Sequence, residues 1–491
     1  MTMHGRLESL SRVSLLFAAW LGVFLLNGAA QAQEKVPPTD AKPAADKNPS
    51  PVEEKPSTMP SLIEKLPDYS GDLSKRSFLL GDWGGTRTDL AEKGILFDIG
   101  LTQAIQGNAH GGKNTQNAVE YSGSVDLTLK FDTARMGLWP GGLLTLRGET
   151  WFGNSMHSHA GSIMAVNADN LFPVPGDSGK TTLSEFYFAQ ALSEKFVLVF
   201  GKMDLASSLD QNVFASSEKT QFMNLGLRAN PVLLPYGPYT TMAFAAVYIP
   251  TKWLKISTGI NDNDPDGAVT KTGFNTAFHG RDWYSVGQEY EFTIKPWDKV
   301  GNQRLGWAWT ARDLRVLDAD GRIQLPNLGP LAPIGSGPLG RLARLAGLSR
   351  LLGDPDSQSD DWVFYYNFDQ YLYTEADDPK QGIGVFGRFG YSTGKANPIE
   401  QFYSVGVSGK GLLPERDNDT FGLGYYHVNL SDDLPDILNV HSEQGVELFY
   451  NIEVTPWFHL TPDVQVIVNP GGGFQDRDVA VVYGIRGQMS F

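Results

Sequence analysis

The sequence predicts an all-β fold, a transmembrane antiparallel barrel of about 16 strands, with a short N-terminal helix and a disordered leader in front of it. Three observations carry this expectation. The last segment, AVVYGIRGQMSF (residues 480–491), puts Val481, Tyr483, Ile485, Met489 and Phe491 on one face of a strand and Ala480, Gly484, Arg486, Gln488 and Ser490 on the other, because successive side chains of a strand point to opposite sides. The same period of two recurs along the chain. Finally, no stretch after the N-terminus has about 18 consecutive apolar residues, which leaves strands rather than helices to cross a bilayer.

The elements follow in order. Arg6 and Arg12 flank an apolar run, VSLLFAAWLGVFLL (residues 13–26), and Ala30-Gln31-Ala32 supplies a small-residue cleavage site. Residues 1–32 therefore read as a secretory signal peptide, with the mature chain expected to begin at Gln33. Residues 33–75 are rich in Pro, Lys, Ala, Glu and Asp and read as a disordered periplasmic leader. In residues 82–94, DWGGTRTDLAEKG, Asp89 and Glu92 resemble a capping box and Gly94 a stop, which predicts a short helix. Residues 76–491 form the expected barrel domain.

From Ile95 the period is two. Ile95, Phe97, Ile99, Leu101 and Ile105 alternate with Asp98, Gly100, Thr102, Ala104 and Gln106. Tyr121, Val125, Leu127, Leu129 and Phe131 alternate with Ser122, Ser124, Asp126, Thr128 and Lys130. Val446, Leu448, Tyr450, Ile452 and Val454 alternate with Glu447, Phe449, Asn451 and Glu453. A soluble sandwich also alternates. Here, however, the second face carries charge, and tight turns such as Trp139-Pro140-Gly141-Gly142 contrast with much longer connections, as in outer-membrane barrels. At about 25 residues per strand and connection, the roughly 400 residues left give some 16 strands, enough for a water-filled lumen. The longest interruption, residues 317–359, is read as a loop against the mouth or in the lumen. Leu342, Leu345, Leu348 and Leu352 are spaced for one face of a short helix within it.

Composition narrows the function. The chain has no cysteine, so disulfides, thiolate metal sites and cysteine nucleophiles are excluded. Formal net charge is -15; the signal peptide holds two Arg and one Glu, so the mature chain carries -16. Acidity on that scale argues against nucleic acid as a partner. The 54 glycines and 11% aromatic content suit tight turns and interfacial rings.

Three segments carry a family resemblance: SFLLGDWGGTRTDLAEKGI (residues 77–95), FGKMDLASSLDQNVFASSEKTQFMN (residues 200–224) and EQGVELFYNIEVTPWFHLTPDVQVIVNPGG (residues 443–472). With the terminal VVYGIRGQMSF, they resemble the carbohydrate-selective porins of the OprB family. The resemblance implies a 16-stranded barrel in the outer membrane of a Gram-negative bacterium that passes monosaccharides, glucose foremost, by facilitated diffusion without a cofactor. Expected partners are the sugars, outer-membrane lipid and, through Phe491, the barrel-insertion machinery. A homo-oligomer depends on a patch of the outer wall.

A sugar-selective lumen needs side chains that replace part of a sugar's hydration shell yet release it. In the strand around residues 143–151, Arg147, Glu149 and Trp151 share a face opposite Leu144 and Leu146, which makes them the first candidates for a constriction. Lys202 and Asp204 offer a similar pair, Glu289 and Glu291 share another face, and Arg388, Glu447 and Gln465 are in phase with the lumen.

Other constellations are weaker. Asp262, Asp264 and Asp266 with Gly267 copy half of a calcium loop, but Gly273 stands where the twelfth-position Glu belongs, so an acidic turn is expected. His157 and His159 are expected to be solvent-exposed in a polar loop rather than metal-bound. His427 is the nearest candidate base for the alternative of an outer-membrane hydrolase, but no serine is evidently paired with it. A general diffusion porin is the third reading.

Overall fold

The computed structural model describes residues 61–170, 181–264, 283–316, 357–376, 378–434, 439–473 and 479–491, with Phe274 and Ala277. The expected signal peptide, residues 33–60 of the expected leader, Asp266, Gly267, Gly273 and the leucines from Leu342 to Leu352 lie outside the described residues.

The first nine strands are β1 (Ile95–His110), β2 (Val119–Asp132), β3 (Gly142–Gly153), β4 (Thr181–Ser193), β5 (Phe196–Asp204), β6 (Thr240–Thr251), β7 (Leu254–Asp262), β8 (Tyr284–Ile294) and β9 (Gly301–Thr310). A separate two-stranded sheet joins β10 (Leu314–Arg315) to β11 (Ser357–Gln358). The rest are β12 (Asp361–Thr374), β13 (Gly382–Ser392), β14 (Ile399–Lys410), β15 (Thr420–Leu430), β16 (Ser442–Thr455), β17 (Phe458–Val468) and β18 (Val479–Ser490). Every barrel strand pairs antiparallel with its neighbours and β1 closes on β18, giving 16 strands with no free edge, as a sheet in hydrocarbon requires.

The period of two sets the register. Leu423 faces Leu448 across β15–β16, and Leu448 faces Val464 across β16–β17. All three are outward and about half exposed, at 51%, 54% and 45%. One residue along, Glu447 lies opposite Gln465, inward and 1% exposed in each case. Such apolar exposure would be a liability in water and is the stabilising surface in lipid.

The two ends differ. Residues 194–195, 252–253 and 456–457 make the shortest turns, whereas residues 154–180 and 205–239 connect strands at the opposite end. Trp139, Trp253 and Trp297 ring the short-turn end, where exposed aromatic side chains match an interfacial belt. Short turns mark the periplasmic side of such barrels.

The helix α1 (Thr86–Glu92) precedes β1 as expected, but its cap differs from the sequence reading. Asp89 lies in the first turn, and Asp82 provides the cap by accepting from the Thr88 amide and hydroxyl at 2.8 and 2.7 Å. Gly94, at φ +85°, closes the helix, where an added Cβ would stand 2.6 Å from the Asp132 carbonyl. The leader reading is also corrected at its end: residues 61–75 pack against the barrel, and Tyr69 is 1% exposed.

Arg87 of α1 fastens the barrel seam. Its guanidinium donates to the carbonyls of Phe97 in β1 and of Phe491 at the chain end, both at 2.9 Å. It lies over the rings of Tyr69, Phe78 and Phe97, 4.1–4.7 Å from their centroids. The Leu79 amide donates to the Ser490 carbonyl at 2.8 Å and adds to the latch.

The bore is not polar throughout. Residues 154–170 and 205–239 fold inward and build a packed core against β9 and β12–β16. Phe222 meets Phe386 at 5.3 Å and Phe449 edge-on at 4.8 Å between centroids. Gly422 and Gly424 hollow the wall beneath this core, since a Cβ at Gly422 would come within 2.6 Å of Phe222. Inward positions hold Phe386, Phe402 and Phe449 where a loop covers them. Charged inner positions such as Arg388, Glu443 and Glu447 lie among them and bond the inward loops.

Replacing Arg87 by Met should remove two charge-assisted hydrogen bonds and the ring contacts, costing about 2–4 kcal/mol of barrel stability. A lower temperature for loss of the compact, fast-migrating form on gels checks this; an unchanged temperature means that the seam holds without Arg87.

Candidate functional site

A charged cluster forms where β2, β3 and β4 face the inward loops. Arg147 is its centre. Its guanidinium contacts Asp126 at 2.9 Å, Glu149 at 3.1 Å and Glu185 at 3.6 Å. A β-bulge between Arg147 and Gly148 shifts the β3–β4 register here and aims these groups together. Lys219, carried on the inward segment 205–239, reaches across to Asp126 and lies 3.7 Å from Asp169 of the other inward loop. Arg147, Asp126, Glu185 and Lys219 keep between 12% and 21% of their side-chain surface open, so the cluster borders space in the bore.

Charges on the loops are tuned by this crowding. Burial works against the ammonium of Lys219, but Asp126 and Asp169 outweigh it and hold its pKa above the ordinary lysine value. Burial pushes Asp169 up to about 6 against the pull of Lys219. Burial would also raise Glu218, yet Arg228, at 2.8 Å, and Lys219 bring it down to about 2.

The sequence candidates separate into three groups. Arg147 and Glu149 belong to the cluster just described. Four others hold the inward segment in place. Glu447 accepts from the backbone amides of Met223 and Asn224 at 2.6 and 2.9 Å. Gln465 accepts from the Asn224 side chain at 3.0 Å and donates to the Val166 carbonyl at 2.8 Å. Glu289 accepts from the Asp210 amide and the Tyr365 hydroxyl, both at 2.9 Å. Arg388 pairs with Asp210 at 2.8 Å and donates to the carbonyls of Leu227 and Ala215.

The remaining candidates lie elsewhere. Glu291 faces the bore in a second ionic group, bonded to Arg304 at 2.6 Å and Lys255 at 3.1 Å, with Asp369 on the far side of Arg304. Trp151 is inward but only 4% exposed; its cross-strand neighbour Ser124 bonds Asp169 at 2.9 Å, so the inward loop sits over this stretch of wall and its ring does not face the open bore. Lys202 is buried and donates to the Leu183 carbonyl at 2.8 Å, while Asp204 accepts from the amides of Ala206 and Ser207 at the base of the inward segment.

The expectation that both loop histidines are solvent-exposed is corrected: His157 is 1% exposed, and His159 contacts Glu120 at 2.9 Å. Burial lowers the pKa of His157 to about 4. Among the described residues no group of three or more acidic or histidine side chains is placed to hold a metal ion. His427 lies on the outer wall, stacked on Tyr403 at 4.8 Å and 2.6 Å from Asn429.

Lys219, Glu218 and Arg228 were missed by reasoning from strand phase, since they sit on a connection. For Lys219 and Glu218 the available signal was composition: residues 200–224 keep Asp, Glu and Lys beside Phe and Met, which suits a segment packed on one side and wet on the other.

Comparison with known proteins agrees with this architecture. The chain is 24% identical to Porin B of Pseudomonas aeruginosa over 449 residues, covering 84% of this chain and 91% of the relative. It is 22% identical to the putative porin QuiX of Acinetobacter baylyi, covering 85% and 93%. The high-pH structure of Pseudomonas putida OprB superposes with a TM-score of 0.72 at 21% identity, covering 86% of this chain and all of that one. The model of the carbohydrate-selective porin, OprB family, matches residues 116–491. With its closed barrel of 16 strands and inward loops, the chain belongs to that family of Gram-negative outer-membrane sugar porins.

Proposed function

We propose that the chain passes monosaccharides such as glucose by facilitated diffusion, and that its narrowest selective point lies between Arg147 with its three carboxylates and Lys219. One observation supports this above others: a loop anchored across the bore delivers a cation to a wall cluster that is already paired and still partly wet. Fixed donors and acceptors of both signs exchange hydrogen bonds with hydroxyl groups as water leaves them. Because each charge already has a neighbour of opposite sign, a neutral solute competes with existing ion pairs, and its binding stays weak enough for release.

The channel needs no covalent chemistry and no cofactor in this reading. His427 supports it over a hydrolase: its ring is stacked on Tyr403 and bonded to Asn429 in the outer wall, with Tyr425 beside it. Those partners suit an aromatic belt at the membrane surface better than a base poised beside a nucleophile. The outer wall also presents the apolar surface through which lipid, the insertion machinery or a second copy would make contact.

Planar-bilayer conductance with glucose, maltose and succinate titrated in tests the proposal. Glucose should block in a saturable manner and succinate should not; indifference to every sugar leaves a general pore. Arg147→Ala and Lys219→Ala should each weaken the glucose block about tenfold, the worth of one charge-assisted hydrogen bond, and an unchanged block in both moves the selective point elsewhere.

A different variant tests the loop. Arg388→Met leaves Asp210 buried without its partner, which costs the docked loop about 3–5 kcal/mol. It should raise salt conductance and open residues 205–239 to protease; wild-type behaviour in both assays means that the loop is held without the Arg388–Asp210 pair.

A further inference from the structure

The bore carries an apolar patch away from the constriction. Toward the short-turn end of β3–β6, Leu143, Ala189, Ala191, Val197, Val199 and Val247 are buried, none more than 9% exposed. Inward side chains facing open water would be wet, so part of this wall is covered. Two residues packed on it come from the N-terminal segment, Leu62 and Ile63, and a third, Leu209, comes from the base of the inward loop.

Polar contacts fix the same segment. The Ser61 hydroxyl bonds the Asp132 carboxylate at the end of β2, and the Arg135 guanidinium donates to the Ile63 carbonyl at 3.0 Å. The Ile63 amide donates back to the Ser61 hydroxyl at 2.9 Å, which folds the segment into a tight bend. Ile63 and Leu66 also touch the cluster of Tyr69, Ala91 and Leu96 beside the seam latch. Glu64 and Lys65 are exposed. Residues 61–66 thus bridge from the seam latch to the patch on β3–β6.

We propose that residues 61–66 are a strap docked inside the short-turn mouth, that it narrows the exit of the bore along β3–β6, and that its release widens the conducting path. The strap contains no helix or strand and is held by half-buried Leu62 and Ile63 with a few hydrogen bonds at the rim. A segment with so few buried contacts opens more readily than the barrel that carries it.

The absence of native cysteine allows a clean test on the full mature chain in planar bilayers with potassium chloride. Folding of each variant is first verified by its heat-modifiable mobility. Leu62→Asp combined with Ile63→Asp should raise single-channel conductance by roughly a quarter or more, because the strap no longer docks. Ser61→Cys with Asp132→Cys should, when oxidised, hold the channel at the wild-type level without brief larger openings, which return on reduction. Unchanged conductance in the aspartate variant, or identical traces for the oxidised and reduced pair, overturns the strap. Salt conductance does not depend on sugar recognition, so this result stands apart from the glucose-block assay.

Discussion

The pinning of residues 205–239 inside the barrel is the constraint from which the rest of the site follows. A chain segment crossing a bore presents backbone amides and carbonyls that need partners once water is displaced. The wall supplies them with side chains rather than with a strand: Glu447 takes the amides of Met223 and Asn224, Glu289 that of Asp210, and Arg388 the carbonyls of Leu227 and Ala215. Phe222, Leu225 and Leu227 then bury apolar surface against Phe386, Tyr426 and Phe449. Polar fixing and apolar packing act on the same short stretch, and between them they set where Lys219 points.

The same strand period serves two solvents. Outward residues such as Leu448 and Ile485 meet lipid, while inward ones meet a bore that is itself divided. Along β12–β16 the inward face is mostly a small protein core. Along β2–β4 it is an ionic surface centred on Arg147, joined by Lys219. Crowding carboxylates and cations so that each has a partner of opposite sign keeps this stretch of wall polar. That suits solutes that carry hydroxyl groups and no charge.

The barrel was legible in the sequence because strand phase is a local property. The alternation in residues 95–106 or 446–454 fixes which side chains face lipid, whatever happens elsewhere. The inward orientation of Arg147, Glu149, Arg388, Glu447 and Gln465 was legible for the same reason. Their division of labour was not. Whether an inward carboxylate faces solute or caps a loop amide depends on contacts such as Glu447 to Met223, more than 200 residues apart in the chain, and no period encodes those. The burial of Trp151 and His157 was hidden likewise, since both depend on how residues 154–170 fold back into the bore. Helix capping misled in a smaller way: Asp89 matched the pattern, but the two glycines after Trp83 let the chain turn so that Asp82 reaches Thr88 first.

The position of a bound monosaccharide tests the central claim most directly. In a crystal of the mature protein soaked with glucose, the account places the ring between the inward segment and the β2–β4 wall, with hydroxyls in hydrogen-bond reach of Arg147 or Glu185 and of Lys219. A sugar bound only outside that gap, or an inward segment displaced from the wall with the channel still sugar-selective, would contradict it.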